Sequence, residues 1–384
     1  MEFIQPKTIT AYFKMPTPMF IGNAEQKADD KHMRNASLKG AIRFWWRATR
    51  WGHLAEKLAI KDALAKLHEE EALLFGSAES ETGKQSLFIL TSEFSRSPKL
   101  YEAGSKDLRH LSYLLGMGLY SHKTGLLRSR LELDEGELIV KFRFKPSTKP
   151  VDASVEQLIV AIKALGFFGG LGSRARKGFG SLALQRIEYQ DSTQTFNTLE
   201  DIQAFIKTLN FSATNDSPLS AFSQGSRIDI SAEANASMTL LNSINHQLHS
   251  YRDGTDRNEE RENNFPNDRV IAKKAAQNQT VTEVPQRSVF GLPHNYQWKQ
   301  DNNKLDVTVK EEQISRRASP LFVHIHAFPD GKCVAIQSLL PTLFLPQGVK
   351  IDMKGKKVEA RINYQVIHTY LNRFEQRKEL RNGR

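Results

Sequence analysis

Between Lys7 and Tyr189 the chain switches hydrophobic period four times, and the order of those switches leaves few folds open. Residues 7 to 21, KTITAYFKMPTPMFI, alternate and carry β-branched types before Pro16 and Pro18 stiffen them, which reads as a strand ending in an extended segment. From Leu38 to about Leu67 the spacing is helical, with Ser37 as N-cap and a break near Trp51-Gly52. Ala72 to Phe75 and Ser86 to Leu90 read as short strands, punctuated by Gly76 and Gly83; residues 108 to 120 read as a short helix or irregular segment. Glu137 to Phe144 alternates, Val155 to Phe168 is helical again, and Ser181 to Tyr189 closes as a strand. Strand, helix, strands, helix, strand is the split βαβ order of a ferredoxin-like domain.

The second half is harder to read. A helix at Leu199 to Leu209 precedes a strand at Ser226 to Ile230 and a helix at Ser237 to His249. Residues 251 to 286 form a polar insertion, expected to be mobile. Strands return at Leu321 to His326 and Cys333 to Leu339, and a basic amphipathic helix is expected from Val358 to about Leu380. A faint repeat links the halves: Leu74-Phe75-Gly76-Ser77 with Gln85-Ser86-Leu87-Phe88 recurs in outline as Val289-Phe290-Gly291-Leu292 with Ser319-Pro320-Leu321-Phe322. The expected fold class is therefore α+β, two tandem ferredoxin-like (RRM-like) domains over residues 1–190 and 226–384, joined by a connecting segment at 191–225.

Composition narrows the function classes. No window approaches the roughly 18 apolar residues of a membrane span, and the N-terminus lacks the features of a signal peptide, so a cytoplasmic location without membrane contact is expected. Cys333 is the only cysteine, which excludes an intrachain disulfide and a thiolate metal cluster. Lys plus Arg number 54 against 43 Asp plus Glu, a net charge of +11 that suits a polyanionic partner.

That charge is concentrated in two places. Lys31 to Trp51, KHMRNASLKGAIRFWWRATRW, holds six Lys or Arg, no acidic residue and three of the four tryptophans. At about 100° per residue, Lys39, Arg43, Trp46, Arg47 and Arg50 fall in one stripe, with Leu38, Ala41, Trp45 and Ala48 opposite. Like charges at i, i+4 repel, so a cationic stripe without acidic neighbours points to a bound anion such as RNA; a merely solvated surface is the alternative. Trp45 is expected in the core. Trp46 borders the arginines, either as core or as a platform for a base.

The second concentration is Leu165 to Ser181, LGFFGGLGSRARKGFGS, with six glycines and Arg174, Arg176 and Lys177 among them. Gly170, Gly172 and Ser173 would bring backbone N–H groups close to phosphate oxygens while the cations supply charge. A turn needed only for helix–strand packing is the alternative. Gly170-x-Gly172-x-x-Ala175 formally fits a dinucleotide fingerprint, but it follows a helix and precedes a strand, the reverse of the required order. No Walker A motif is present, and no cofactor is expected.

These residues together resemble the RAMP superfamily of CRISPR proteins, and within it the subunit-one family of the type III-B (Cmr) effector complex. The resemblance rests on Thr17-Pro18-Met19-Phe20-Ile21-Gly22, on Arg34-x-x-Ser37-Leu38-Lys39-Gly40-Ala41-Ile42-Arg43-Phe44-Trp45-Trp46-Arg47-Ala48, on Leu74-Phe75-Gly76-Ser77, and on the run from Gly169 to Gly180. It is good over residues 7 to 190 and thin beyond, where Phe290-Gly291 and Arg316-Arg317 with Ser319-Pro320-Leu321 are the echoes. The resemblance implies tandem ferredoxin-like RAMP domains and a non-catalytic subunit that holds the 3′ region of a guide RNA and helps capture target RNA beside sibling subunits. Lys39, Arg43, Arg47, Arg174, Arg176 and Lys177 become its expected RNA contacts.

Two other classes stay open. Some RAMP relatives cleave RNA, and Asp29 and Asp30 beside Lys31 and His32 would be the metal-binding or acid–base residues of such an endoribonuclease. The other is a stand-alone RNA-binding protein. His324 and His326 share one strand face but lack an evident third ligand, and are expected to be an ordinary exposed face; His246 and His249 read as helix surface.

Overall fold

The computed structural model describes residues 6–23, 25–78, 83–145, 152–213, 217–253, 263–297, 304–311 and 314–383. In the first half, β1 (Thr8–Lys14) is followed by α1 (Asn35–Ala55) and α2 (Ile60–Phe75), then β2 (Phe88–Phe94), β3 (Leu138–Phe144), α3 (Asp152–Phe168), β4 (Ala183–Tyr189) and β5 (Ser192–Thr195). The sheet order is β2-β3-β1-β4-β5, every pair antiparallel. Alternation decides which face is covered: Ile9, Ala11 and Phe13 of β1 and Leu138, Val140 and Phe142 of β3 are buried, while the residues between them face outward. α1 and α3 pack together on the buried face through Leu38, Ile42, Trp45, Leu158, Ile162 and Leu165.

The second half repeats this plan. After α4 (Leu199–Thr208) come β6 (Arg227–Ala234), α5 (Ser237–Asp253), α6 (Pro266–Ala276), β7 (His294–Gln297), β8 (Lys304–Val309), β9 (Leu321–Ala327), β10 (Cys333–Leu339), β11 (Lys350–Met353), β12 (Lys356–Glu359), α7 (Gln365–Leu371) and β13 (Lys378–Arg381). Its sheet runs β9-β10-β6-β13, the same order of first, second, third and fourth strands as the first half. The fold is thus α+β with tandem ferredoxin-like units. One face of the second sheet carries α5 and α7; the other, through Phe322, Val334 and Ile336, joins the apolar cluster of Trp45, Phe168 and Phe222. The helical layer of the first unit covers the face of the second sheet that its own helices leave open.

The faint repeat is a shared backbone device. Phe75 ends α2 and Phe290 ends a short 3₁₀ turn, both are buried, and each is followed by a glycine at positive φ, +84° at Gly76 and +112° at Gly291. A Cβ on Gly76 would meet Lys84 O and Ser86 N, and one on Gly291 would meet Arg317 O and Ser319 N, so only glycine lets the incoming strand lie this close. The geometry equates Ser86 with Ser319, one residue from the sequence alignment.

Several expected elements are corrected. The helix passes through Trp51-Gly52 unbroken and stops at Ala55; Gly52 is small because Asn210 O lies against it, not because the helix ends. Ala72 to Phe75 is the last turn of α2 rather than a strand. Ser37 sits inside the first turn, and Arg34 occupies the N-cap without a side-chain cap bond. Within the polar stretch 251–286, where mobility was expected, Pro266–Ala276 forms a helix whose Ala272 and Ala275 pack on the sheet β7-β8-β11-β12 through Leu305, Val307 and Ile351; residues 254–262 lie outside the described residues. The expected C-terminal helix is instead β12, the seven-residue α7 and β13.

Candidate nucleic-acid interface

The α1 stripe forms as expected, but it is not bare. α2 folds back along it and brings two glutamates that the local window could not reveal. Glu71, only 4% exposed, accepts from Arg43 Nε at 2.7 Å and from its Nη2, and its other oxygen lies 3.6 Å from Arg47 Nε. Glu70 takes Arg50 through Nε at 2.6 Å and Nη2 at 3.0 Å. Lys39 stands over the Phe88 ring at 5.6 Å, and burial together with Arg43 and Lys145 lowers its pKa. Two acids against four cations leave the stripe weakly positive. Trp46 is a correction: it is 0% exposed, donates from Nε1 to Gln157 Oε1 at 3.2 Å and meets Phe75 edge-on, so no base can stack on it.

The glycine-rich loop is a strap between the two units. Ser173 N donates to Phe20 O and Gly180 N to Pro18 O, both at 2.8 Å, and Thr17 Oγ1 donates to Gly178 O at 2.8 Å. Gly170 is enclosed against Gly180-Ser181, while Gly172, at φ +92° with Phe20 O close by, lines an open cleft. Arg176 crosses to the second unit. Its guanidinium lies 4.3 Å from the Phe322 centroid and 5.3 Å from that of Phe44, Nη1 donates to Ser319 O at 2.5 Å, and its backbone oxygen accepts from Val323 N at 3.1 Å. Burial lowers its pKa to about 10. Arg176 is therefore a joint residue rather than an exposed phosphate contact.

Arg174 and Lys177 are placed differently. Arg174 holds φ at +63°, a conformation that costs a side-chain-bearing residue on the order of 1–2 kcal/mol, and Nε donates to Leu115 O at 2.8 Å. Burial, Arg316 and Arg252 lower the Arg174 pKa; burial, Arg252 and Arg174 push Lys177 down to about 7. The charged groups acting most strongly on each are cations, which is what a site waiting for an anion looks like. Arg128 joins from the connection between β2 and β3, with Nη1 3.4 Å from Ser173 Oγ. It lines the 250 Å³ cleft with Phe20, Gly22, Ser37, Gly172 and Ser173, beside a first turn of α1 that has no acidic residue.

The loop meets α1 through Phe44, about 100° round the helix from Arg43, while Arg174 and Lys177 stand in the field of Arg252, Arg174 also in that of Arg316, and Arg128 lies against Ser173. Those three were missed: Arg252 was assigned to the polar insertion, Arg316 was noted only as an echo of the family pattern, and Arg128 carries no sequence signal.

The acidic loop gives no sign of a metal site. Asp29 Oδ1 accepts from Lys31 N at 2.8 Å and His32 N at 3.1 Å, bonds that lower its pKa. Among the described residues no group of three or more His, Cys, Asp or Glu could hold a metal ion. His324 and His326 are not an exposed face but are wholly buried at the joint. A carbonyl only accepts, so His324 Nδ1–H donates to Gly169 O at 2.6 Å, and Nε2, 3.3 Å from His326 Nδ1, accepts. Burial pushes His324 down to about 4.

A family model described as the RAMP superfamily matches residues 12–183, the stretch that holds β1, the α1 stripe and the glycine loop. Over these residues, a little under half of its length, the chain is similar to the RAMP superfamily. The chain is similar in fold to the crystal structure of apo Cmr1 from Pyrococcus furiosus, with a TM-score of 0.55 and 17% identity over 98% of this chain and 99% of that one. It is similar also to a chain of the type III-B Cmr-beta complex bound to cognate target RNA, seen by cryo-electron microscopy, with a TM-score of 0.54 and 11% identity over 97% and 99%. At these identities the likeness is one of fold. No curated protein matches this sequence. No helix among its described residues is long and apolar enough to cross a membrane.

Proposed function

We propose that this chain is a non-catalytic RNA-binding RAMP subunit of a type III-B CRISPR effector complex in the cytoplasm, seated on the 3′ region of the guide RNA and assisting capture of target RNA beside sibling subunits. The observation that carries the reading is the unbalanced cation cluster at the joint, Arg174, Lys177, Arg252 and Arg316, with Arg128 at its edge. Cations this close repel, and nucleic-acid phosphates relieve that repulsion while releasing counterions. The α1 stripe, half neutralised by Glu70 and Glu71, adds a weaker field. The fold likeness to Cmr1 and to a chain of a target-RNA-bound Cmr assembly supports the same reading. Asp29, tied into its own turn, supplies no comparable argument for cleavage.

The test is purification of the tagged chain from cells expressing the whole complex. Sibling subunits and a discrete guide RNA should copurify, and Arg174→Glu with Arg252→Glu should lose the RNA. Recovery of the chain alone, or cleavage of RNA in Mg²⁺ that Asp29→Ala abolishes, refutes the reading.

A further inference from the structure

Beyond the cation cluster, on the far side of Arg316, an open cleft of about 480 Å³ lies between the segments 314–317 and 343–346. Its walls are mixed: Ile314, Leu343, Phe344 and Pro346 supply the apolar part and Ser315, Arg316 and Arg317 the polar part, and Leu343 is 41% exposed. Arg317 stands at its side with the guanidinium 5.6 Å from the Phe344 centroid and Nη2 3.4 Å from Leu343 O. Arg317 Nε is buried and has no hydrogen-bond partner.

The walls are held from behind. Leu343 N donates to Ser217 O at 2.9 Å, Thr342 Oγ1 donates to the same oxygen at 2.7 Å, and Leu340 N donates to Pro320 O at 3.0 Å. The cleft is therefore preformed, with an aliphatic lip and two arginines, Arg316 and Arg317, at its side. An unpaired base offers the complement: a flat apolar face for Leu343, and edge acceptors for the exposed Arg316 at the rim. Position decides between a base and a protein side chain. Arg316 belongs both to this cleft and to the charges acting on Arg174, so a strand whose phosphates cross the cluster presents its next base here.

We infer that the cleft of Ile314, Arg317, Leu343, Phe344 and Pro346 receives an unpaired nucleobase of the RNA strand that crosses the joint. This rests on the RNA-binding reading above and names a second element of that site, one that recognises bases rather than phosphates.

The experiment uses the full chain and a short oligouridine RNA bearing 4-thiouridine. Irradiation should crosslink the peptide that contains residues 343–346, and Leu343→Glu should remove that crosslink and weaken binding about tenfold, the scale of one lost stacking contact. Because Leu343 is at the surface, an unchanged melting curve will show that the variant folds. Crosslinks confined to the Arg174–Lys177 peptide, or equal affinity of Leu343→Glu, overturn the base cleft while leaving phosphate binding intact. Loss of a copurifying subunit in Leu343→Glu with RNA affinity unchanged overturns it in favour of a protein dock. An unaltered chain that binds no RNA sinks the wider reading and this one with it.

Discussion

The guanidinium of Arg176 rests 4.3 Å above the ring of Phe322 and donates to the carbonyl oxygen of Ser319, so an arginine of the first unit's glycine loop is fastened to the start of β9 in the second unit. Two residues away, Arg174 holds a left-handed backbone, donates to Leu115 O and stands in the field of Arg252 and Arg316. One short loop thus does two jobs, and they separate experimentally.

Arg176→Ala should lower stability by about 2 kcal/mol, the sum of a desolvated cation–π contact and a charge-assisted hydrogen bond, read from urea unfolding. Arg176→Lys should not restore it, since an ammonium cannot lie flat on a ring. Arg174→Ala should shift the unfolding midpoint less, because loss of its bond to Leu115 O is offset by relief of the repulsion from Arg252 and Arg316, and should weaken RNA binding. The reverse pattern would contradict the division.

In α1 the stability role dominates. Arg43→Gln leaves Glu71, a buried carboxylate, with only Arg47 at 3.6 Å, and should cost about 1–3 kcal/mol. RNA affinity should fall less than for Arg252→Gln, and the slope of log affinity against log salt should drop by about one unit only in the latter. Filter binding across a salt series decides this.

Trp45→Ala and Trp46→Ala should each destabilise by about 3–5 kcal/mol, because both indoles are enclosed. Trp46→Phe, which keeps the ring but loses the bond to Gln157, should bind RNA as the parent does. A base-stacking role for Trp46 predicts the opposite, and fluorescence quenching by RNA would expose it.

RNA binding should take up a proton. Lys177 is held near 7 in the free chain, and a phosphate beside it raises that value, so the bound state carries more protons above neutrality. Affinity should therefore fall as pH climbs above about 7, and Lys177→Met should flatten the curve. Titration calorimetry in buffers of different ionisation enthalpy measures the uptake directly.

The buried histidines set an acid limit. His324 has a folded pKa near 4 against an ordinary value of 6.5, so between those values the unfolded chain binds the extra proton. Stability contributed by neutral His324 is complete above about 6.5 and is lost as pH falls toward 4. Protonation would set a second N–H against His326 Nδ1–H. His324→Asn should reduce the slope of unfolding free energy with pH in that window, measured by urea unfolding at a series of pH values.

The amino-acid order alone determined the two-period plan of the first unit, from β1 through α1 and α3 to β4, because each element buries a continuous face and burial imposes a period of 2 or about 3.6. It also marked the Phe-Gly turns of both units, since positive φ beside a close backbone admits little but glycine. The tail was misread for the converse reason. Val358 to Leu380 has helical composition, but Lys378, Glu379 and Arg381 pair with Ile230, Asp229 and Ile228, and ladder partners 145 or more residues away outweigh local propensity. Charge was the least legible quantity. Whether an arginine is spent on a glutamate, as Arg43 on Glu71, or held among other cations, as Arg174 beside Arg252, depends on which helices cross it, and only the tertiary structure sets that neighbourhood.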